Sequence, residues 1–192
     1  MKPPFYHVDR RGDLSVGDTL GLNWDLTIFG RNETHTLDSQ YEDEIREDFQ
    51  GGLSAHGSRY THSFYEISHN QEYYLQHPHK HVPTPISDSE DCHVFIENGI
   101  NEWLAERVRR DSFPDRRSRL RSYFAWPSRG VIDGFGDENY SVCEVEPADF
   151  ELHDMRLLDS QPGIQEYWKG TFTDQPKLEV VMKGPVEIVD VC

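Results

Sequence analysis

Three histidines alternate along the segment HPHKH, at positions 77, 79 and 81. Alternate residues of an extended segment point the same way, and imidazole is a common zinc ligand, so the spacing is compatible with a metal site. Neighbouring segments hold further candidate ligands: His56, His62, His69, Cys92 and His93. No Cys-x-x-Cys or His-Glu-x-x-His pattern accompanies them, and prolines flank the segment. A solvated loop is therefore the alternative interpretation, and we assign no metal ligand.

Half of the fourteen arginines fall within fifteen residues: Arg107, Arg109, Arg110, Arg116, Arg117, Arg119 and Arg121. On a chain with a net charge of -16, this concentration predicts a local positive patch. Arginine binds phosphate through paired hydrogen bonds, so a phosphate-bearing cofactor or a nucleic-acid strand is a candidate partner. The alternative is a solvated helix end, where cations suit the helix dipole.

His7, Tyr123 and Glu179 form a third candidate set, because each falls on a predicted strand. The alternative interpretation is that these three residues have structural roles only. His7 and Tyr123 would be hydrogen-bonded residues of amphipathic strands, and Glu179 would be a carboxylate that faces solvent.

The strands that carry these residues are predicted from short apolar runs. We expect strands at 4–9, 119–126, 140–147 and 177–191, the last broken at Gly184-Pro185, and a strand or ordered loop at 19–29. On the strand at 119–126, Arg119 and Arg121 should both face away from the side of Leu120.

One helix is predicted with good support at 97–110, with Asn98 as its cap and Pro114 just beyond its end. Its expected buried face consists of Ile100, Trp103, Leu104 and Val108. A short helix is also possible at 39–49, ending at Gly51-Gly52. Together these elements predict a single α+β domain that is mainly β.

Composition limits the environment and the partners of the chain. A chain of 192 residues fits one domain, and no apolar stretch approaches the roughly 20 residues of a membrane span. The 18 Asp and 17 Glu against 14 Arg and 5 Lys are typical of a halophilic surface, although an ordinary acidic cytosolic protein has a similar balance. Non-specific binding to nucleic acid or anionic membrane is disfavoured for the surface as a whole.

The three cysteines are odd in number and widely spaced, and the first residues, MKPPFYHV, contain no apolar signal region. We therefore expect a cytoplasmic protein. The glycosylation sequons at Asn32 and Asn139 are then chance matches.

Several segments resemble ADP-ribosyltransferases. FYHVDRRGDLSVGDTL at 5–20 looks like the first strand of the small rifamycin-modifying enzymes, in which a histidine ends the strand and Leu-x-x-Gly-Asp follows the turn. SYFAWPS at 122–128 resembles the Tyr-Phe-Ala segment of poly-ADP-ribose polymerases, and KLEVVMKGPVEIVDV at 177–191 is similar to the strand that carries the family glutamate. YSVCEVEPADFELHD at 140–154 resembles the Val-Glu-Pro strand of the rifamycin enzymes. The segment 107–125 is also similar to an uncharacterised domain family.

The resemblance covers roughly 1–20 and 119–192. It implies an α+β ADP-ribosyltransferase-like split β-sheet over 1–192, with a long polar and helical insertion at about 31–118. It also implies NAD-dependent mono-ADP-ribosyl transfer, with NAD as the substrate and a protein, nucleic acid or small molecule as the acceptor.

The resemblance also implies roles for individual residues. His7 would hydrogen-bond a ribose hydroxyl of NAD, the backbone at Val8 would hold the nicotinamide amide, and Tyr123 would stack on the nicotinamide ring. Glu179 would stabilise the positive charge that develops as nicotinamide leaves, and Asp154 is the alternative acid. Further cofactor contacts would come from Phe124, Arg119 and Arg121.

Two other functions fit the same sequence. A non-catalytic member of this fold would bind a nucleotide or a nucleic-acid strand through the arginine cluster. A metal-stabilised interaction protein would instead use the histidine-rich loop. Ligand binding and nicotinamide release distinguish these interpretations.

Overall fold

Antiparallel strands form two sheets in the part of the chain that the computed structural model describes, which comprises residues 4–10, 12–22, 47, 49–58, 60–61, 89–132 and 140–192. Their bounds are β1 (Phe5–Asp9), β2 (Thr19–Leu20), β3 (Ser122–Ala125), β4 (Ser141–Pro147), β5 (Phe150–Asp154), β6 (Leu178–Lys183) and β7 (Val186–Val191). They form a four-stranded sheet in the order β1-β4-β7-β2 and a three-stranded sheet in the order β3-β6-β5.

The main core lies between the two sheets. Phe5 pairs with Val145 in one sheet, Tyr123 pairs with Met182 in the other, and all four side chains belong to one buried cluster. Because alternate residues of a strand face opposite sides, this register fixes which side chains point inward. The residues between these positions therefore lie on the outer faces.

The two sheets meet where β1 passes β3. Tyr6 and Trp126 form an isolated antiparallel bridge, with both backbone hydrogen bonds at 2.9 Å. Next to this bridge, the His7 imidazole Nδ1 lies 2.7 Å from the carbonyl oxygen of Phe124. We call the region formed by Tyr6, His7, Phe124 and Trp126 the sheet junction.

Helices cover the outer face of the three-stranded sheet. Three α-helices of the described part are α1 (Ser89–Ser112), α2 (Arg129–Ile132) and α3 (Gln161–Lys169). The 3-10 helices are Arg119–Arg121 and Met155–Asp159, and residues 55–58 and 60–61 are also helical. Gly170 ends α3 in the left-handed conformation. α3 packs against α1 through Trp168, whose indole nitrogen donates to the carbonyl of Ala105 at 2.9 Å.

The structure confirms the coarse α+β class and several element predictions. The strands at 4–9 and 140–147 are present, and the chain from 178 to 191 forms two strands separated at Gly184-Pro185. Only residues 19–20 of the stretch 19–29 are assigned to a strand, and residues 23–29 lie outside the described residues. The possible helix at 39–49 also falls mainly outside them.

Three predictions about the segment 89–126 are wrong in part, although Trp103 of the expected helix face is buried and Leu104 and Val108 pack against the core. The helix begins at Ser89, so Asn98 lies inside it, although it does end before Pro114. Ile100 is 51% exposed, whereas Glu102 and Glu106 are buried, because arginines pair with these glutamates. β3 begins at Ser122, not at residue 119.

Within the described part of the chain, no helix is both long enough and apolar enough to cross a membrane.

Candidate functional site

His7 is held in one orientation at the sheet junction. Its Nδ1 lies 2.7 Å from the Phe124 carbonyl oxygen, which can only accept, so Nδ1 carries the proton. Burial lowers the pKa of His7 below 6.5, although the bond to Phe124 and the charge of Asp9 act in the opposite direction. The ring is therefore neutral at pH 7, and its Nε2 has a lone pair that can accept a hydrogen bond.

Three half-buried aromatic rings form a group that includes the Phe124 side chain: His56, Tyr60 and Phe124, which we call the aromatic patch. The ring centroids of His56 and Phe124 are 4.5 Å apart, and those of His56 and Tyr60 are 4.9 Å apart. Flat rings of this kind can stack on a planar ligand. The patch and His7 share Phe124, which contributes its ring to one and its carbonyl to the other.

A close backbone contact positions His56 in this patch. Ser54 donates both its backbone N–H and its hydroxyl to the carbonyl of Leu120, each at 3.1 Å. At Gly57, an added Cβ would lie 1.8 Å from the same oxygen. Because only glycine avoids this clash, the segment 54–57 can rest directly on the turn before β3.

A buried charge network lies behind the aromatic patch. The Arg119 guanidinium donates to both carboxylate oxygens of Glu102, at 2.8 and 2.7 Å, and contacts Glu179 with Nη1. Tyr167 accepts from Arg119 at 2.6 Å and donates to Glu179 at 2.7 Å. All four side chains are buried, so each charge is satisfied by its neighbours and not by water.

Burial and charge within this network change the pKa values of its side chains. Burial alone would raise the pKa of Glu102, but the adjacent Arg119 charge overrides it and holds this pKa well below the usual range. Burial would likewise lower the pKa of Arg119, yet Glu102 and Glu179 raise it well above the ordinary value. Burial raises the pKa of Tyr167. Glu102 and Arg119 are consequently charged throughout the physiological range.

Arg119 connects this network to the aromatic patch. Its guanidinium carbon lies 4.6 Å from the centre of the Phe124 ring, a cation–π distance. On the same side, the Nε2 of His56 lies 3.3 Å from a carboxylate oxygen of Glu102. His7, Phe124, Arg119 and Glu179, all predicted site residues, are thus linked through one continuous set of contacts.

Tyr123 and Glu179 are not brought to one surface. Tyr123 pairs with Met182, three positions from Glu179, so the two side chains lie on opposite faces of the sheet. The Tyr123 ring is 7% exposed, and its hydroxyl donates to the carbonyl of Gly21 at 2.6 Å. In this arrangement Phe124, not Tyr123, presents its ring near the charge network.

Asp154 lies apart from the sheet junction and stabilises local backbone. One of its oxygens accepts from the backbone of Arg156 and Lys177 at 3.1 and 2.9 Å. The other accepts from the backbone and hydroxyl of Thr173 at 2.9 and 2.6 Å. Burial would raise the pKa of Asp154, but these donors lower it. The Val8 side chain, which is half-buried, lies on the side of β1 opposite to His7.

The arginine cluster is largely neutralised by carboxylates. Its ion pairs join Arg107 to Asp111, Arg109 and Arg110 to Glu106, Arg116 to Glu151, Arg117 to Asp149 and Glu151, and Arg119 to Glu102 and Glu179. The prediction that Arg119 and Arg121 share a strand face opposite Leu120 is wrong, because these residues form a 3-10 turn. Arg119 points into the interior, while Arg121 is half-buried beside Gly51.

Metal binding has no support within the described residues, where no three His, Cys, Asp or Glu side chains are grouped to hold an ion. The segment HPHKH at 77–81 lies outside them, as do His62 and His69.

Sequence reasoning missed three members of the site: His56, Glu102 and Tyr167. His56 was considered only as a metal ligand, and Tyr167 lies in a helix that was not predicted. Glu102 carried one usable signal, since it lies directly before Trp103, Leu104 and Ala105 in a predicted helix. A charged residue at such a position is compatible with a buried partner.

Comparison with known proteins places the chain in a family. No curated protein matches it. A family model described as "Protein of unknown function (DUF2441)" matches residues 5–192. Because this match spans nearly the whole sequence, the chain belongs to the DUF2441 family.

Proposed function

We propose that this protein binds NAD, or a nucleotide with the same ring and ribose, at the sheet junction of an ADP-ribosyltransferase-like fold. The observation that carries the proposal is the hydrogen bond between His7 and the Phe124 carbonyl. This bond places the imidazole proton on Nδ1, so Nε2 of the neutral ring can accept from a ribose hydroxyl. This is the role that the resemblance implies for His7.

Two further features support this proposal. The two antiparallel sheets, joined by the single Tyr6–Trp126 bridge among the described residues, are compatible with the split sheet that the resemblance implies. The aromatic patch offers half-buried rings for a planar group such as nicotinamide, and Phe124 connects this patch to His7 through its carbonyl. In this proposal Phe124 and His56 take the stacking role first expected of Tyr123.

Mono-ADP-ribosyl transfer from NAD to an acceptor is a second candidate function, and Glu179 is the observation that favours it. Arg119 and Tyr167 hold this carboxylate rigidly behind Phe124, and a rigid carboxylate can stabilise an oxocarbenium-like state without reorganisation. The side chain is buried, however, and Arg119 opposes its charge. Nucleotide binding requires no rearrangement of this pair, so it is the function that the geometry supports best.

Binding is tested by the melting temperature with and without NAD. A ligand that binds only the folded state must stabilise it, so NAD should raise the Tm of the wild-type protein. His7→Ala should abolish this shift, whereas Val8→Ala, on the opposite side of the same strand, should retain it. Absence of a shift in the wild-type protein, or an equal shift in His7→Ala, would refute binding at the sheet junction.

Transfer is tested separately by the release of nicotinamide from NAD. If Glu179 is catalytic, Glu179→Gln should lower the release about a hundredfold or more while NAD binding persists. Asp154→Asn should have much less effect on the rate. Binding without any release of nicotinamide would leave nucleotide binding as the function and remove the second candidate.

A further inference from the structure

Arg121 differs from the other six members of the arginine cluster. Each of those six lies within 4.0 Å of a carboxylate of the described chain, but Arg121 has no such partner there. We propose that Arg121 binds the diphosphate group of a nucleotide. This proposal rests on the proposed function, because it assigns a second contact for the same ligand.

The burial of Arg121 provides the first argument. The residue is half-buried, and its Nε is a buried atom without a hydrogen-bond partner. Removing a cation and its N–H groups from water costs free energy unless an anion or an acceptor replaces the water. In the described part of the chain no carboxylate does so, which leaves this guanidinium suited to an anion from outside.

The surroundings of Arg121 provide the second argument. A Cβ added at Gly51 would lie 3.0 Å from Nη2 of Arg121, so the guanidinium lies against the backbone of this turn and a side chain at residue 51 would crowd it. Gly51 and Gly52 both adopt positive φ, at 92° and 98°, a conformation that disfavours other residues. Because Arg121 is half-buried and its Nε has no hydrogen-bond partner, its guanidinium retains donors for phosphate oxygens.

The position of Arg121 relates this site to the sheet junction. It precedes Phe124 by three residues, which corresponds to about 10 Å along an extended chain. One dinucleotide could therefore place its ring at the aromatic patch and its diphosphate at Arg121. Arg119, the neighbouring arginine, already donates to Glu102 and Tyr167 in the interior and is not available for this contact.

The diphosphate contribution can be measured by comparing ADP with adenosine, which lacks the phosphates. We expect ADP to bind the wild-type protein more tightly than adenosine. Arg121→Gln should remove about tenfold to a hundredfold of the affinity for ADP and leave adenosine unchanged. Arg107→Gln is the matched control, because this side chain is 76% exposed and pairs with Asp111 on the helix surface. It should leave both affinities unchanged.

Three results would overturn the assignment: equal affinity for ADP and adenosine, unchanged ADP binding in Arg121→Gln, or an equal loss in Arg107→Gln. The Tm of the unliganded protein separates ligand binding by Arg121 from a structural role. Because its Nε has no partner, replacing Arg121 should not lower this Tm. A large loss of Tm in Arg121→Gln, not restored by Arg121→Lys, would also contradict the proposal.

Nicotinamide riboside, which carries the ring and ribose without phosphates, separates this proposal from the proposed function. If nicotinamide riboside binds in a His7-dependent manner, but Arg121→Gln does not change the affinity for ADP, only the diphosphate assignment is wrong. If nicotinamide riboside does not bind, but ADP still binds more tightly than adenosine in an Arg121-dependent manner, the placement of the ring at the sheet junction is wrong. The assignment of the diphosphate to Arg121 is then retained.

Discussion

Arg119 and Glu179 form an ion pair in the interior of the protein, with side chains that are 3% and 1% exposed. Glu102 accepts from the opposite side of the same guanidinium, so one cation balances two carboxylates. Tyr167 completes the arrangement by donating to Glu179. The glutamate to which the resemblance assigns catalysis is therefore a structural residue, and mutation can separate this structural role from the proposed catalytic one.

The two partners of this pair should differ in their effect on stability. Arg119→Met leaves Glu102 and Glu179 buried without a counter-charge and should lower the free energy of unfolding by about 3–5 kcal/mol. Glu179→Gln leaves the Arg119–Glu102 pair and should cost only about 1 kcal/mol. Urea denaturation of both variants at pH 7 measures this difference. Equal losses would contradict the view that Arg119 is the common counter-charge.

The acid that was considered as the alternative should behave as a backbone-capping residue. Asp154→Asn places an amide where two donors of Thr173 point, and should lower the free energy of unfolding by about 2–4 kcal/mol. It should leave the NAD-induced shift in Tm unchanged, since Asp154 does not lie at the sheet junction. A loss of NAD binding without a loss of stability would instead place Asp154 in the site.

The same substitution has a pH signature. The pKa of Asp154 is lowered in the folded protein from an ordinary value of 3.8. Its contribution to stability is therefore fully present above this value and is lost as pH falls through the lower folded pKa. The difference in unfolding free energy between wild type and Asp154→Asn should shrink below about pH 4. A difference that stays constant down to pH 2 would show that charge has no part in the effect.

Two glycines offer a matched test of the contact that positions His56. Gly57→Ala would place a Cβ 1.8 Å from the Leu120 carbonyl, so we expect a loss of about 3 kcal/mol or more and a weaker NAD-induced shift. Gly130→Ala meets nothing within 4 Å in its helix and should be neutral or stabilising by about 0.5–1 kcal/mol. If the two variants show similar stability in thermal and urea unfolding, the contact between Gly57 and the Leu120 carbonyl does not explain the loss of stability.

Local pattern predicted β1, β4, β6 and β7 because apolar and β-branched residues concentrate in them, as in the run Val180-Val181-Met182 of β6, but it did not predict β5. It failed for α3, because Pro162 and Gly163 lie in its first turn and indicate a loop. In the structure, Pro162 occupies the start of the helix, where its missing N–H costs nothing. Gly163 lets the helix approach the carbonyl of Leu157.

The candidate site was only partly predictable for a different reason. His7 could be identified because its strand and its neighbours in sequence mark it. The partners of Arg119 could not, since they are 17, 48 and 60 residues away along the chain. Whether an arginine binds a ligand or a buried glutamate depends on tertiary contacts that neither spacing nor composition encodes.

The last prediction concerns the titration of His7. Its pKa in the folded protein is lowered from 6.5 by burial, whereas the unfolded chain keeps the ordinary value. As pH falls below 6.5, the unfolded state takes up a proton that the folded state resists, so wild-type stability decreases by up to about 1.4 kcal/mol for each unit of pKa difference. The decrease stops once the folded protein is also protonated.

His7→Gln keeps a donor for the Phe124 carbonyl but does not titrate, and so isolates this effect from the other histidines. The difference in unfolding free energy between wild type and His7→Gln should be constant above about pH 7.5 and should fall with acidification below pH 6.5. NAD affinity should fall at still lower pH, because a protonated Nε2 cannot accept from a ribose hydroxyl. Parallel stability curves for the two proteins between pH 5 and 8 would show that His7 does not titrate as its burial requires. An NAD affinity that stays constant down to a pH at which folded His7 is protonated would argue against Nε2 as the ribose acceptor.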